Sequence, residues 1–334
     1  MTPRRPDLTL SRVLGVVGRL FVLAGVLVLL FVAYQLWGTG WQEARAQDRL
    51  ERQFEELLEQ AGRTSTTTPS PDSTPPTTPP ESEATDPTIT TPVEVEQGDA
   101  VARIEMPTIG VDKLVVQGTS VPDLRKGPGH YLDTPLPGEA GNAAIAGHRT
   151  TYGAPFGDID KLKPGDSIFV TTLAGRFEYR VLGADRTVDG GDPTVGHFIV
   201  KPTDVWVLRD FGDNRLTLTA CHPKYSARER IIVAAELVTP TVELPTTTTP
   251  TDVTTTPPPP SDTAGVDLDE GLGGDPSART PAILWGLLFF AILAGVWTES
   301  NRWRRWPSYA IGAIPLLVTM YFWFENLDRW MPAR

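Results

Sequence analysis

The sequence predicts a mainly β domain, a sandwich or a barrel, held outside a membrane by apolar segments on both of its flanks. Three observations carry this reading. Between about 94 and 237 the chain breaks into short alternating or β-branched runs bounded by Gly, Pro and Asp. On either side lie stretches made almost entirely of Thr, Pro, Ser and acidic residues, too poor in apolar area to offset the entropy of ordering. Beyond those come apolar segments at 20–41, 281–298 and 307–324.

The elements follow in chain order. With 32 Pro and 30 Gly among 334 residues, one compact globule is excluded as a reading of the whole chain. Residues 1–19 are a basic start with Arg4, Arg5, Arg12 and Arg19, and the next run, 20–41, has no charged residue. It is long enough for about 30 Å of hydrocarbon and outlasts the ~7–15 residues of a signal-peptide core, so it reads as an uncleaved anchor entering from inside. The loop 299–306 carries Arg302, Arg304 and Arg305, which places it in the cytoplasm by the positive-inside rule. Three crossings then leave 42–280 outside and return the tail 325–334 to the outside, a multi-pass membrane protein with an extracellular domain. Pro315 lies inside the third segment, so a buried hairpin stands beside a full crossing there.

Residues 42–62 put Leu50, Phe54, Leu57 and Leu58 on one helical face. This predicts a juxtamembrane helix, either self-associating or singly solvated. Linkers at 63–93 and 238–280 are expected to be extended and disordered, with Thr and Ser hydroxyls open to glycosylation. The domain at 94–237 has strand-like runs at Val101–Met106, Lys113–Gln117, Ala143–Gly147, Ser167–Thr172, Phe177–Ala184, His197–Lys201, Arg215–Ala220 and Arg230–Leu237. Val121–Lys126 and Gly157–Leu162 read as short helical turns. Regularly spaced short strands in a domain of this size mean a sandwich or barrel.

Charge and cysteine content narrow the chemistry. A net charge of −11, from 30 Lys+Arg against 41 Asp+Glu, excludes a nucleic-acid binder that works by phosphate neutralisation. The single cysteine, Cys221, excludes an intrachain disulfide, a thiolate zinc site and a paired redox motif. An unpaired thiol in an oxidising exterior points to use of its reactivity. Such a nucleophile needs a base. His148, at the end of the apolar run Ala143–Gly147, is the best candidate. His222 adjoins Cys221 but points to the other face of a strand; His130, in a Gly/Pro loop, lines a site or bonds backbone, and His197 reads as structural. Acyl transfer also needs a donor for the developing oxyanion. Arg228 and Arg230 share strand parity, so spacing does not choose between them.

These residues carry a family resemblance. Ile104–Val111, Ala146-Gly147-His148-Arg149, Leu162–Ile168 and Leu216–Cys221 followed by Arg230-Ile231-Ile232-Val233 resemble the sortases across about 94–237. Gly127–Tyr131, His148–Gly153 and Cys221–Lys224 are similar to class E sortases of high-GC Gram-positive bacteria. The resemblance implies a sortase-like eight-stranded β-barrel, with Cys221 as nucleophile, His148 as acid–base and Arg230 at the substrate or oxyanion. It also implies substrate contacts from Tyr152, His130 and the backbone of Ala220, which stands where many sortases have Thr. The implied reaction is cleavage of the Thr–Gly bond in an LPxTG- or LAxTG-type sorting signal through a thioacyl enzyme. The acyl group then passes to an amine of a peptidoglycan precursor, or to a pilin lysine in a polymerising enzyme. Secreted proteins bearing the signal, the lipid-linked precursor and the membrane are the implied partners. No cofactor and no metal are expected. Two other classes stand beside this one: a different cell-wall cysteine transpeptidase or peptidase, and a non-catalytic tethered module.

Overall fold

The computed structural model describes residues 8–64, 95–240, 268, 272, 274–302 and 305–331. Most of the two linkers and the first residues of the basic start lie outside the described residues.

Pro107 opens a single 3-10 turn, Pro107–Ile109, and Gly110 at φ 66° reverses the chain, a left-handed conformation that glycine adopts without a Cβ penalty. The turn joins β1 (Ala100–Met106) to β2 (Val111–Gln117) as an antiparallel pair with Met106 opposite Val111. A four-residue helix, α3 (Val121–Leu124), then returns the chain so that β3 (Gly129–His130) lies parallel to β2. β3 pairs with β4 (Asn142–Ala146), and β4 runs parallel to β8 (Arg215–His222). On the other side of β1, β5 (Ser167–Thr172) and β6 (Gly175–Val181) form a hairpin. β9 (Glu229–Leu237) pairs with β8 along one edge and with β6 on the other, closing the sheet into an eight-stranded barrel. β7 (Phe198–Val200) adds to the free first half of β9, outside the closure.

The strands follow from alternation. Ile168 and Val170, Leu216, Leu218 and Ala220, and Ile231, Val233 and Ala235 point inward and pack with Ile104, Met106, Phe177 and Tyr179. β4 and β8 are unlike an ordinary half-solvated strand, because both faces are buried along nearly their whole length. The eight runs expected from sequence and the eight barrel strands are not the same set. The run at 197–201 is β7, and β3 replaces it in the closure, being too short at two residues to show a period. The run at 177–184 ends at Val181, where Gly183 leads into a 3-10 turn over Ala184–Arg186.

The N-terminal helices are continuous. α1 (Leu8–Ala33) passes through a π-helical segment, Tyr34–Gly38, into α2 (Thr39–Thr64), so no break separates the anchor from the juxtamembrane segment. The apolar face of α2 neither self-associates nor stands in solvent. It covers the barrel, with Leu50 and Phe54 buried against Ala100, Leu114 and Val116. Gln47 pairs its amide with β2, Oε1 accepting from Leu114 N–H at 2.7 Å and Nε2 donating to the carbonyls of Leu114 and Lys126. Glu43 binds Lys113 at 2.6 Å and Glu51 meets Arg103 at 3.2 Å.

α4 (Arg279–Arg302) and α5 (Arg305–Trp330) form an antiparallel hairpin, Trp285 stacking on Phe322 and Phe289 on Trp323. The end of α5 meets the N-terminal helix, where Phe324 packs edge-on against Phe31 and Gln42 donates to Tyr321. Among the described residues two helices are long and apolar enough to cross a membrane, Val13–Ala61 and Pro276–Thr298. The three crossings expected reduce to these two. The segment 307–324 is helical within α5, continuing through Pro315, and is not one of those two, so a third crossing is not supported. Outward-facing side chains such as Phe21, 75% exposed, fit a membrane-associated protein.

Removing a buried Phe side chain costs about 3–5 kcal/mol where the site does not collapse. Phe54→Ala is therefore expected to loosen α2 from β1 and β2 while the barrel stays folded, read as faster amide exchange over 42–62. Unchanged protection of those amides would refute the docking.

Candidate active site

The site is assembled by strand register. Cys221, near the end of β8, lies directly opposite Arg230 of β9, and opposite residues of an antiparallel pair project to the same face. On the other edge of β8, Ala146 pairs with Thr219 in parallel, and Gly147 N–H donates to the Thr219 carbonyl at 3.0 Å. Two residues further along each chain come His148 and Cys221. Alternation settles the face: Leu218 and Ala220 fill the barrel, whereas Ala144, Ala146, Cys221 and Ile232 belong to a second cluster on its outer side. That cluster is walled by Leu124 and Tyr131, by Val200 of β7, and by Val207 and Leu208. Leu268 and Leu272 complete it, both fully buried.

Burial sets the charge states. His148 is 3% exposed and its Nδ1 has no hydrogen-bond partner among the described residues. Desolvation, assisted by the positive charge of Arg125, pushes its pKa down to about 4, so the imidazole is neutral at physiological pH. Its ring packs on Tyr152 with 5.2 Å between centroids. Tyr152 in turn is clasped from three sides. Its N–H donates to Thr39 Oγ1, its hydroxyl donates to the Asp328 carboxylate, and Arg125 Nε donates to that hydroxyl at 2.7 Å. Burial and Asp328 hold the phenol well above its ordinary pKa. Tyr152 sits at φ 50°, a left-handed conformation costing a non-glycine residue about 1–2 kcal/mol. Thr39 is in α2 and Asp328 in α5, so the loop carrying His148 is held by helices from both ends of the chain.

Arg230 is fully buried. Nη1 donates to the carbonyls of Ala227 and Glu229 at 3.0 and 2.9 Å, and Nε donates to the carbonyl of Leu268 at 3.1 Å. Arg228, indistinguishable from it by spacing, is exposed. Arg149 is tied to Asp160 at 2.8 Å, and its Nη1 comes to 3.5 Å from the Cys221 carbonyl.

The remaining candidates are placed as follows. His130 is in β3, 1% exposed, with Nδ1 at 3.0 Å from Gln117 Oε1 and Nε2 at 2.9 Å from the Pro135 carbonyl, so both ring nitrogens are engaged within the protein. Ala220 points its methyl into the barrel core. His222, next to Cys221, approaches Arg149 through Nδ1, and His197 immediately precedes β7.

Three features escaped the sequence reading. Tyr131 binds the Thr219 hydroxyl at 3.0 Å and walls the groove; Arg149 braces the Cys221 carbonyl; Leu268 and Leu272 fill the groove itself. The first two adjoin histidines that were singled out, and the leucines stand out as isolated large apolar residues in a linker of Gly, Asp and Thr. A Cys thiol and a guanidinium on one buried face, with a buried imidazole nearby in the chain fold, are group types that acyl transfer uses as nucleophile, anion-stabilising donor and proton carrier.

The Sortase domain family model matches residues 104–238. Sortase SrtE1 of Streptomyces coelicolor is 30% identical over 232 residues, covering 66% of this chain; the chain spans 56% of the length of that relative. Sortase D of Bacillus subtilis is 31% identical over 147 residues, 43% of this chain and 67% of its own length. The solved structure of sortase E from Streptomyces avermitilis is 35% identical, with 43% of this chain and 91% of that one covered at a TM-score of 0.36. With four separated sequence motifs falling inside the matched region, the chain belongs to the sortase family of cysteine transpeptidases.

Proposed function

We propose that the chain is a membrane-anchored sortase that cleaves the Thr–Gly bond of an LPxTG- or LAxTG-type sorting signal and transfers the protein to an amine of a cell-wall precursor. The observation that supports this reading is the register that sets Cys221 opposite Arg230, with the buried His148 two residues beyond Ala146, the residue paired with Thr219 on the other edge of β8. In the proposed reaction Cys221 Sγ attacks the Thr carbonyl carbon as the thiol proton passes to the neutral His148. Arg230 donates to the resulting oxyanion. The C–N bond breaks, His148 returns its proton to the leaving Gly amine, and a thioester remains on Cys221. The acceptor amine then attacks the thioester, its surplus proton passing through His148 to the departing thiolate. Tyr152 acts in this scheme by fixing the imidazole plane, and Ala220 contributes backbone alone. The extracellular placement of the barrel, the secreted clients and the lipid-linked acceptor are part of the proposal. They are supported by the membrane-associated helices on both flanks.

Incubating the full-length protein with fluorescent LAETG and LPETG peptides and an amine acceptor tests the reading. Cys221→Ala is expected to abolish product and His148→Ala to lower turnover by about 10²–10⁴; full turnover in Cys221→Ala would end the proposal.

For the arginines, Arg230→Ala should reduce kcat by about 10²–10³, with Arg228→Ala within about twofold of the parent. The reverse ranking would overturn the assignment.

Acid stability provides a third check. An unfolded chain binds a proton on His148 near the ordinary pKa of 6.5, whereas the native site resists protonation until about 4. Stability therefore falls as pH drops from 6.5 towards 4, by about 3 kcal/mol for a gap of this size. His130, also held at about 4 by burial, acts in the same direction. His148→Gln should remove a large part of the slope in thermal unfolding between those pH values; an unaltered slope would mean that the native ring is already charged.

A further inference from the structure

The groove beside Cys221 is already filled, and the chain itself fills it. Leu268 and Leu272 are each 0% exposed, and they pack in the cluster formed by Cys221, Tyr131, Ile232, Val200 and Leu208. The Leu268 carbonyl accepts from Arg230 Nε at 3.1 Å. A peptide carbonyl of this chain therefore takes the guanidinium that an acyl donor or its oxyanion would need. Cys221 is left 1% exposed, so its thiol is not open to a peptide while the leucines are seated.

The two residues also have a fixed exit. Two residues after Leu272, Gly274 at φ 85° turns the chain against the backbone of Trp330 and Met331. Asp275 then accepts from Arg329 at 2.9 Å and its N–H donates to the Arg329 carbonyl at 2.8 Å. Leu272 is thus held within a few residues of the end of α5, which keeps its effective concentration at the groove high.

We propose that Leu268 and Leu272 are an autoinhibitory strap, a pseudo-substrate plug of the groove delivered by the C-terminal helical hairpin, which a peptide acyl donor must displace before Cys221 reacts. The term pseudo-substrate rests on the transpeptidase reading above; the occlusion of Cys221 does not.

Because Cys221 is the sole cysteine, its alkylation reports the strap without reference to any enzymatic activity. The full-length protein in detergent micelles is treated with iodoacetamide, alongside Leu268→Ser/Leu272→Ser and the milder Leu272→Ala. The double variant is expected to be alkylated at least about tenfold faster and Leu272→Ala about threefold faster, with near-UV circular dichroism unchanged. Leu268→Met/Leu272→Met, which keeps the plug apolar, should react as slowly as the parent. Should the double variant lose its near-UV signal, Leu272→Ala decides. A rate within experimental error of the parent in every folded strap variant overturns the proposal. Faster alkylation with no peptide turnover in any variant would leave the strap standing and remove the transpeptidase reading, so the two failures are told apart.

Discussion

The pairing of β8 between two unlike neighbours is the constraint on which the site depends. A parallel partner on one edge and an antiparallel partner on the other fix three chain segments relative to one another at single-residue precision. A slip of one residue would turn Cys221 into the barrel and bring Ala220 outward. The apolar inward set, Leu216, Leu218 and Ala220 against Ile231, Val233 and Ala235, guards against that slip, because it would expose the whole row. Core packing and site geometry are one requirement here: the hydrophobic registry of the inner face is what sets Cys221 and Arg230 opposite each other on the outer one.

The outer face is unusual in being dry. Thr217, Thr219 and Arg230 are buried there along with Cys221, and His148 is buried in the loop that follows β4. The polar groups are satisfied locally, Thr217 by Asn142 at 2.7 Å and Thr219 by Tyr131. A buried polar group without such a partner is expensive, and among the described residues His148 Nδ1, with its neighbours Arg149 Nε and Thr150 Oγ1, has none. The His148 ring is the group whose proton affinity matters most to the proposed chemistry, and that affinity is lowered chiefly by its dry setting and further by the charge of Arg125.

The sequence made some of this legible and hid the rest for identifiable reasons. Cys221 was visible because a lone thiol ended an alternating run before a proline, and His148 because it ended another. Arg228 and Arg230 were not separable, since residues two apart share a face; only the β8–β9 pairing and the burial of one of them distinguish their surroundings. β3 was hidden because two residues have no period. The amphipathic face of α2 announced that something covers Leu50 and Phe54 but not what, and the answer lies some fifty residues away in β1 and β2. Likewise the third apolar segment could be seen and is helical, while only two helices among the described residues are long and apolar enough to cross a membrane. Leu268 and Leu272 fall in a stretch whose composition argues for a spacer, and composition averages over two residues that act individually.

The clasp around Tyr152 has a consequence for how the catalytic region can be isolated. A soluble fragment cut at the borders of the family match would retain His148, Tyr152 and Arg125 but lose Thr39 and Asp328. The Tyr152 amide would then face solvent or nothing, its hydroxyl would keep Arg125 alone, and the left-handed backbone at that position would have less to hold it. Such a fragment would preserve every proposed reacting group yet hold the imidazole on a looser hinge. The helices that flank the barrel are in this sense scaffolding for an imidazole.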